Sequence, residues 1–224
     1  MKKQYDIAIL GGGPGGYVAA IRASQLGFKT VVIDKDNLGG ICLNWGCIPT
    51  KSLLKNAEIY DAVKNNGKEF GISAKELNFD FNKIIERSRG ISDRITKNVE
   101  MLINKNKIER IRGFGKFVSK SQLDIYDESG KKIETVTADK IIIATGASPK
   151  SIPSLPVDKE YIITSTEAMN LPKLPKEMII IGAGAIGIEF AYFYSVFGTK
   201  VTVIEMLENI LPIEDEEVSK ELAR

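Results

Sequence analysis

The sequence has no histidine among its 224 residues and only two cysteines. Without imidazole, and with two thiols as the only cysteine ligands, a metal site is poorly supplied; two cysteines also exclude a disulfide framework. Excess charge is lacking as well. The 31 basic and 29 acidic side chains leave +2, with no clustered basic face of the kind nucleic acid demands. The lysines and arginines read as a solvated surface.

Long apolar runs are scarce. After the basic Met1-Lys2-Lys3, the run Ile7–Leu10 is too short for a signal-peptide core, and the glycines of 11–16 break it. Met178–Gly198 carries one charge, Glu189, over 21 residues, the length of a membrane span. Four glycines punctuate it, however, and the pattern reads as strand, turn and helix. The expectation is a soluble cytoplasmic protein that binds neither membrane nor nucleic acid. Its 43% apolar content suffices for one or two compact domains.

What is present is a repeat. Residues 7–34 read IAILGGGPGGYVAAIRASQLGFKTVVID, and residues 178–205 read MIIIGAGAIGIEFAYFYSVFGTKVTVIE. A shift of 171 carries Gly11, Gly13, Gly16 and Gly27 onto Gly182, Gly184, Gly187 and Gly198, and Asp34 onto Glu205, without a gap. Each copy opens with a short apolar strand and a G-x-G-x-x-G turn. A helix follows, with Ala19, Ala20, Ala23 and Leu26 as its expected buried face in the first copy. A second strand then ends on an acid. This is a βαβ dinucleotide fingerprint. The first glycine permits the tight turn, the second lets pyrophosphate approach the backbone, and the third lets helix and strand pack closely. The helix N-terminus offers free N–H groups to phosphate. The acid, 18 residues after the last glycine in both copies, can accept hydrogen bonds from ribose hydroxyls. One such turn arises readily for packing reasons alone. Two copies with matched acids point to two dinucleotides.

Between the copies lies GGICLNWGCIPTKSLL, residues 39–54. Two cysteines are often small buried hydrophobes. Here Pro49 suits the first turn of a helix, which puts Cys47 beside a helix N-terminus, where the dipole and nearby Lys51 favour thiolate. Cys42 is close enough to act as its resolving partner. Further on, Asp80 is expected to cap a helix with Ile84, Ile91, Ile95, Val99 and Leu102 on its apolar face, a helix read as plain scaffold. Strands are expected over 108–112, 114–118, 123–126, 133–136 and 140–144, with Glu128-Ser129-Gly130 as a turn. Pro149, Pro153, Pro156, Pro172 and Pro175 mark a linker.

The order of fingerprint, C-L-N-W-G-C-I-P-T-K and second fingerprint resembles the class I pyridine nucleotide-disulfide oxidoreductases, from about Tyr5 to the last residue. Within that family the dithiol motif is most similar to the dihydrolipoamide dehydrogenase branch; the glutathione and mercuric reductase branches more often have C-V-N-x-G-C-V-P. The resemblance implies an α/β chain. Residues 1–150 would form a Rossmann-like FAD-binding domain with inserted antiparallel strands, and residues 151–224 the linker and first βαβ unit of a Rossmann-like NAD-binding domain. FAD would be held by Gly11, Gly12, Gly13, Pro14, Gly15 and Gly16, by Asp34 and Lys35, by Gly39, Gly40 and Ile41, by the backbone of Gly115, and by Thr145, Gly146 and Ala147. The family usually has Glu in place of Asp34 and often Thr in place of Ile41. Cys42 would be the thiol facing substrate and Cys47 the thiol against the flavin. Lys51 would lie near flavin N5, paired with Glu189. Gly182, Gly184, Ala185, Ile186, Gly187, Glu189 and Glu205 would serve NAD, the acid at 205 disfavouring a 2′-phosphate.

Implied partners are dihydrolipoamide on a lipoyl-bearing protein of a 2-oxoacid dehydrogenase or glycine cleavage complex, and a second copy in a homodimer. The family's proton-handling base is a His on a C-terminal interface domain. This sequence has none and ends 19 residues after Glu205, so it is expected to be a truncated chain, inactive alone, weak in FAD retention and prone to aggregate through residues 178–204. Alternatives are another disulfide reductase of the family, mercuric or glutathione type, or a non-catalytic nucleotide-binding fragment.

Overall fold

The computed structural model describes residues 3–150 and 152–224. Met1 and Lys2, part of the basic start weighed above as an export signal, and Ser151, at the head of the expected second domain, lie outside the described residues. The chain forms two compact units, Met1–Ile48 with Arg89–Lys150, and Pro49–Ser88 with Ser151–Arg224. Residues 49–88, grouped with 1–150 in the sequence reading, therefore pack with the later part of the chain.

The first unit is built on a six-stranded sheet in the order β3-β2-β1-β6-β5-β4. Strands β1 (Lys3–Leu10), β2 (Thr30–Asp34) and β3 (Glu109–Arg112) are parallel, and β6 (Lys132–Ile143) lies parallel to β1 on its other side. Strands β4 (Phe114–Ser119) and β5 (Gln122–Tyr126) extend the sheet antiparallel against the first half of β6. This is the expected Rossmann-like α/β arrangement with inserted antiparallel strands. Strand β2 is fully apolar at its centre because both its faces are covered. Val31 and Ile33 join Tyr5, Ala8, Ile111, Leu123, Ile125, Val136 and Ala138 on one face. Val32 joins Ile9, Ala20, Val99, Ile103 and Ile108 on the other, under α1 (Pro14–Gln25) and the later turns of α4 (Phe81–Lys105).

Three expectations change here. The strands expected over 133–136 and 140–144 are one continuous β6. Val136 and Ala138 are buried, and pairing with β5 and then β1 carries the chain through the polar Asp139-Lys140. On α1 the buried residues are Gly16, Ala20 and Ala23, whereas Leu26 is the C-cap and is exposed. On α4, Asp80 accepts from the Lys83 N–H as expected, but Leu102 is exposed and Ile84, Ile91 and Ile95 are half-buried. The buried stripe is Phe81, Ile85, Ser88, Ser92, Thr96, Val99 and Ile103, a helical period displaced by one position from the apolar one.

The second unit contains most of α3 (Cys47–Asn66), the first turns of α4, α5 (Ser165–Ala168), β7 (Glu177–Ile181), α6 (Ala185–Val196), β8 (Lys200–Ile204) and α7 (Glu216–Ala223). Its core is aromatic: Phe190, Phe193, Tyr194 and Phe197 of α6 and the residue after it pack on Leu53, Ala57, Phe81, Ile85, Ala168 and Met169. Tyr194 is buried without loss because its hydroxyl donates to the Ala168 carbonyl at 2.5 Å. Strands β7 and β8 pair in parallel as a two-stranded sheet. Met178, Ile180 and Val201 face the core, while Ile179, Ile181 and Ile204 on the other face are exposed. Met178–Gly198 is thus strand, turn and helix, and among the described residues no helix is long and apolar enough to cross a membrane.

Both repeats pack helix against strand at their third glycine. A Cβ at Gly16 would lie 1.8 Å from the Gly11 carbonyl oxygen, and one at Gly187 would lie 2.1 Å from that of Gly182. Backbone oxygens cannot swing aside, so Gly16→Ala and Gly187→Ala are each expected to destabilise by about 1–3 kcal/mol, as overpacking does. Urea denaturation followed by circular dichroism should show midpoints clearly below that of the unsubstituted chain. Unchanged midpoints would mean that the helices stand further from their strands.

Candidate functional site

The first fingerprint loop runs from Gly11, whose N–H donates to Ile33 O at 2.8 Å, to Pro14, the first residue of α1. Gly11 has φ of 109°, and Gly182, its counterpart, 103°, conformations that L side chains rarely adopt. Asp34, at the end of β2, reaches back across the loop. One carboxylate oxygen accepts from the Gly12 N–H at 2.5 Å, and the other accepts from Asp36 N–H at 2.8 Å. The Gly12 carbonyl accepts from the Gly39 N–H at 2.8 Å. The peptide flanks of Gly12 are therefore held by the acid on one side and by the start of the dithiol segment on the other.

The second copy repeats this arrangement. Glu205 accepts from the Ala183 N–H at 2.8 Å, and from Met206 and Leu207 N–H with its other oxygen. The Ala183 carbonyl accepts from the Leu211 N–H at 2.8 Å. Leu211, like Gly39, has positive φ. The backbone donors of Leu207 and Ala183 hold the Glu205 carboxyl below the usual carboxylate range. The acid is accordingly charged at neutral pH.

The glycines separate into those the protein's own packing requires and those it does not. Gly11 and Gly16 are required: a Cβ at Gly11 would meet Ala144 O at 2.1 Å. At Gly115 a Cβ would meet only the end of the Leu10 side chain within 3 Å, at 2.6 Å, and that end can shift. Gly13 and Gly184 are different. A Cβ at Gly13 would meet only Gly40 Cα at 3.6 Å, one at Gly184 would meet nothing within 4 Å, and both residues are extended N-caps that any side chain permits. Each leaves an open approach to the first N–H groups of a helix, the place and the chemistry a pyrophosphate needs. The residues present thus fit one dinucleotide at each loop. A cleft of about 860 Å³ opens in the first unit, lined by Lys35, Arg112, Phe114, Lys116 and Tyr126 among others. Asp127 and Glu128 line it as well, and Glu128 pairs with Arg112 at 3.2 Å. Ile41 on α2 (Gly40–Trp45) is exposed, as are Thr145, Gly146 and Ala147 after β6, and Ala185 and Ile186 at the head of α6.

Cys42 lies on α2, and Cys47 is the first residue of α3, exposed to solvent. Gly39 and Gly40, both with positive φ, turn the chain into α2; a Cβ at Gly40 would meet Gly13 Cα at 2.7 Å, so the dithiol segment starts in contact with the fingerprint loop. In the second unit Lys51, one turn after Cys47 on α3, forms an ion pair with Glu189 of α6. Sequence reasoning missed α2 and its anchors. Asn44 is buried, donates to Leu38 O and Gly40 O, and takes bonds from Arg89 and Thr96 of α4. Arg89 stacks on Trp45 at 4.6 Å, and its burial pulls the guanidinium below its usual range. The visible signal was polar residues at 89, 92 and 96 on an otherwise amphipathic helix. A capping box of Thr164 and Glu167 at α5 was missed as well.

The family model for pyridine nucleotide-disulphide oxidoreductases matches residues 5–224. The chain is 46% identical to the dihydrolipoyl dehydrogenase of Zymomonas mobilis over its whole length and 48% of that protein. It is 46% identical to that of Corynebacterium glutamicum, over its whole length and 47% of the relative. It therefore spans about half the length of both. Among solved structures, the HOCl-induced flavoprotein disulfide reductase RclA from Escherichia coli, as its Cu(II) complex, superposes on the whole chain and 47% of its own, with a TM-score of 0.83 and 28% identity. With the two fingerprints, the dithiol between them and these likenesses together, the chain belongs to the pyridine nucleotide-disulphide oxidoreductase family.

Proposed function

We propose that this chain carries the flavin, dithiol and nicotinamide-binding parts of a dihydrolipoyl dehydrogenase acting in the cytoplasm. The observation that carries the reading is the twice-built loop with an open second glycine, the first copy hydrogen-bonded to the segment that bears Cys42 and Cys47. Residues 1–150 form the FAD domain in this reading, and residues 151–224 the linker and first βαβ unit of the NAD domain. Substrate is dihydrolipoamide on a lipoyl-bearing protein of a 2-oxoacid dehydrogenase or glycine cleavage complex, and the working enzyme is a homodimer.

In the proposed reaction one thiolate of dihydrolipoamide attacks Cys42 of the Cys42–Cys47 disulfide and releases Cys47 as thiolate. The second substrate thiol then displaces Cys42, closing the lipoamide disulfide and leaving both electrons on the protein dithiol. Cys47 at the head of α3 is the thiol set towards the flavin, and Lys51 is the cation beside it, held by Glu189. When bound, FAD supplies the acceptor chemistry that links this dithiol to NAD. The chain's own part is to hold the dinucleotides by their phosphates and riboses and to keep the two thiols within exchange distance.

Three outcomes are expected. Mild oxidation of the folded chain, followed by thiol trapping and mass spectrometry, should give a Cys42–Cys47 disulfide that dithiothreitol reverses; two thiols still alkylated after oxidation would end the redox reading. Gly13→Ala should leave folding stability within about 0.5 kcal/mol, yet weaken FAD binding on the order of tenfold or more, because a methyl group then stands where phosphate must approach. Retained flavin in a fluorescence titration would show that the loop does not carry the pyrophosphate. Finally, calorimetric titration should find NADH bound about tenfold more tightly than NADPH, a difference of about 1.4 kcal/mol, with Glu205 repelling the 2′-phosphate. Equal affinities would remove Glu205 from the ribose.

A further inference from the structure

The apolar stripe of α4 is interrupted. Phe81 and Ile85 precede, and Val99 and Ile103 follow, a polar stretch in which Ser92 and Thr96 are only 2% and 7% exposed. Arg89, Ser92 and Thr96 stand at helical spacings of three and four and so share a face. Hydroxyl and guanidinium groups on an interior face cost free energy unless their hydrogens are accepted. The short helix α2, which bears Cys42, accepts from Arg89 and Thr96, while Ser92 accepts from Arg89. Arg89 Nη2 donates to the Asn44 carbonyl at 2.7 Å and to Ser92 Oγ at 2.9 Å. Thr96 Oγ1 donates to Asn44 Oδ1 at 3.2 Å. The guanidinium of Arg89 lies over the Trp45 ring. Helix α2 has six residues and no side-chain cap, too short to persist unsupported.

We propose that Arg89 and Thr96 position the dithiol: they clamp α2 by Asn44 and Trp45, with Ser92 holding the Arg89 guanidinium, and so set how closely Cys42 is presented to Cys47. The proposal rests on the reading of the two cysteines as a redox pair. Disulfide stability depends on the effective concentration of one thiol at the other. Fixing α2 raises it and makes the disulfide harder to reduce. Freeing α2 lowers it and shifts the equilibrium towards the dithiol.

The test equilibrates the full 224-residue chain with mixtures of reduced and oxidised dithiothreitol. In each exchange the reagent's two thiols close to a cyclic disulfide and give up two electrons and two protons. The Cys42–Cys47 bond breaks, and each sulfur takes one electron and one proton. Thiol trapping reads the equilibrium directly. Fluorescence of Trp45, the only tryptophan, reads it independently between the two sulfurs. Arg89→Met is expected to shift the equilibrium about tenfold towards the dithiol, which is about 30 mV for a two-electron couple. Thr96→Val, which changes no charge, should shift it in the same direction by about threefold or more. Val136→Ala, in the apolar cluster with Tyr5 and Ala8, should lower stability and leave the equilibrium unmoved. A shift with Arg89→Met but not with Thr96→Val would assign the effect to the cation and overturn positioning. So would an equal shift with Val136→Ala, or no shift in any variant. Failure of the unsubstituted chain to form the disulfide would instead remove the redox reading on which the proposal stands.

Discussion

The backbone at Gly12 is gripped from two directions: its N–H by the Asp34 carboxylate and its carbonyl by the Gly39 N–H. Three segments of the first unit meet at that grip. The acid at the end of β2, the fingerprint loop and the segment that bears the thiols would otherwise be three independent loops, each with its own conformational entropy to lose. Tied at one residue, they order together. The carboxylate's second oxygen is engaged with Asp36 N–H, and so one side chain ties the fingerprint loop to the turn after β2.

The same device at Ala183, held by Glu205 and Leu211, sits in a different setting. Strand β1 has β2 on one side and β6 on the other, and Ala144, just after β6, leaves no room for a Cβ at Gly11. Strand β7 has β8 alone among the described strands, and a Cβ at Gly182 would meet nothing within 4 Å. Ile179, Ile181 and Ile204 stand exposed on that small sheet. The local motif forms from its own residues, while the completeness of its surroundings depends on what the sheet is given to pair with.

Both βαβ units were legible in the sequence because their logic is local: an apolar strand, a glycine turn, a helix and an acid at a set interval. Strands β3, β4 and β5 were legible for the same reason. What was not legible is long-range. Strand β6 continues through Asp139-Lys140 because β1 lies alongside it, and no property of those two residues announces a neighbour some 130 positions earlier. The buried side of α4 runs through Ser88, Ser92 and Thr96 rather than Ile84, Ile91 and Ile95; Ser88 donates to the Pro49 carbonyl, Ser92 accepts from Arg89 and Thr96 donates to Asn44, partners that periodicity of hydrophobicity does not count. In the site, Lys51 with Glu189 came from a resemblance, whereas Asn44, Arg89 and Thr96 needed coordinates.

Apart from the carboxylate, the grip on the fingerprint loop is made by main chain. Position 12 is Gly and its counterpart Ala; the donor to its carbonyl is Gly39 in one copy and Leu211 in the other. Identity at these positions is therefore free to drift while the hydrogen bonds persist. Two descendants of one ancestral motif can come to share little beyond three glycines and an acid and still be the same machine part. Divergence here erodes the letters faster than the object they spell, and homology between such copies is better judged by which peptide groups are satisfied, and from where, than by counting matched residues.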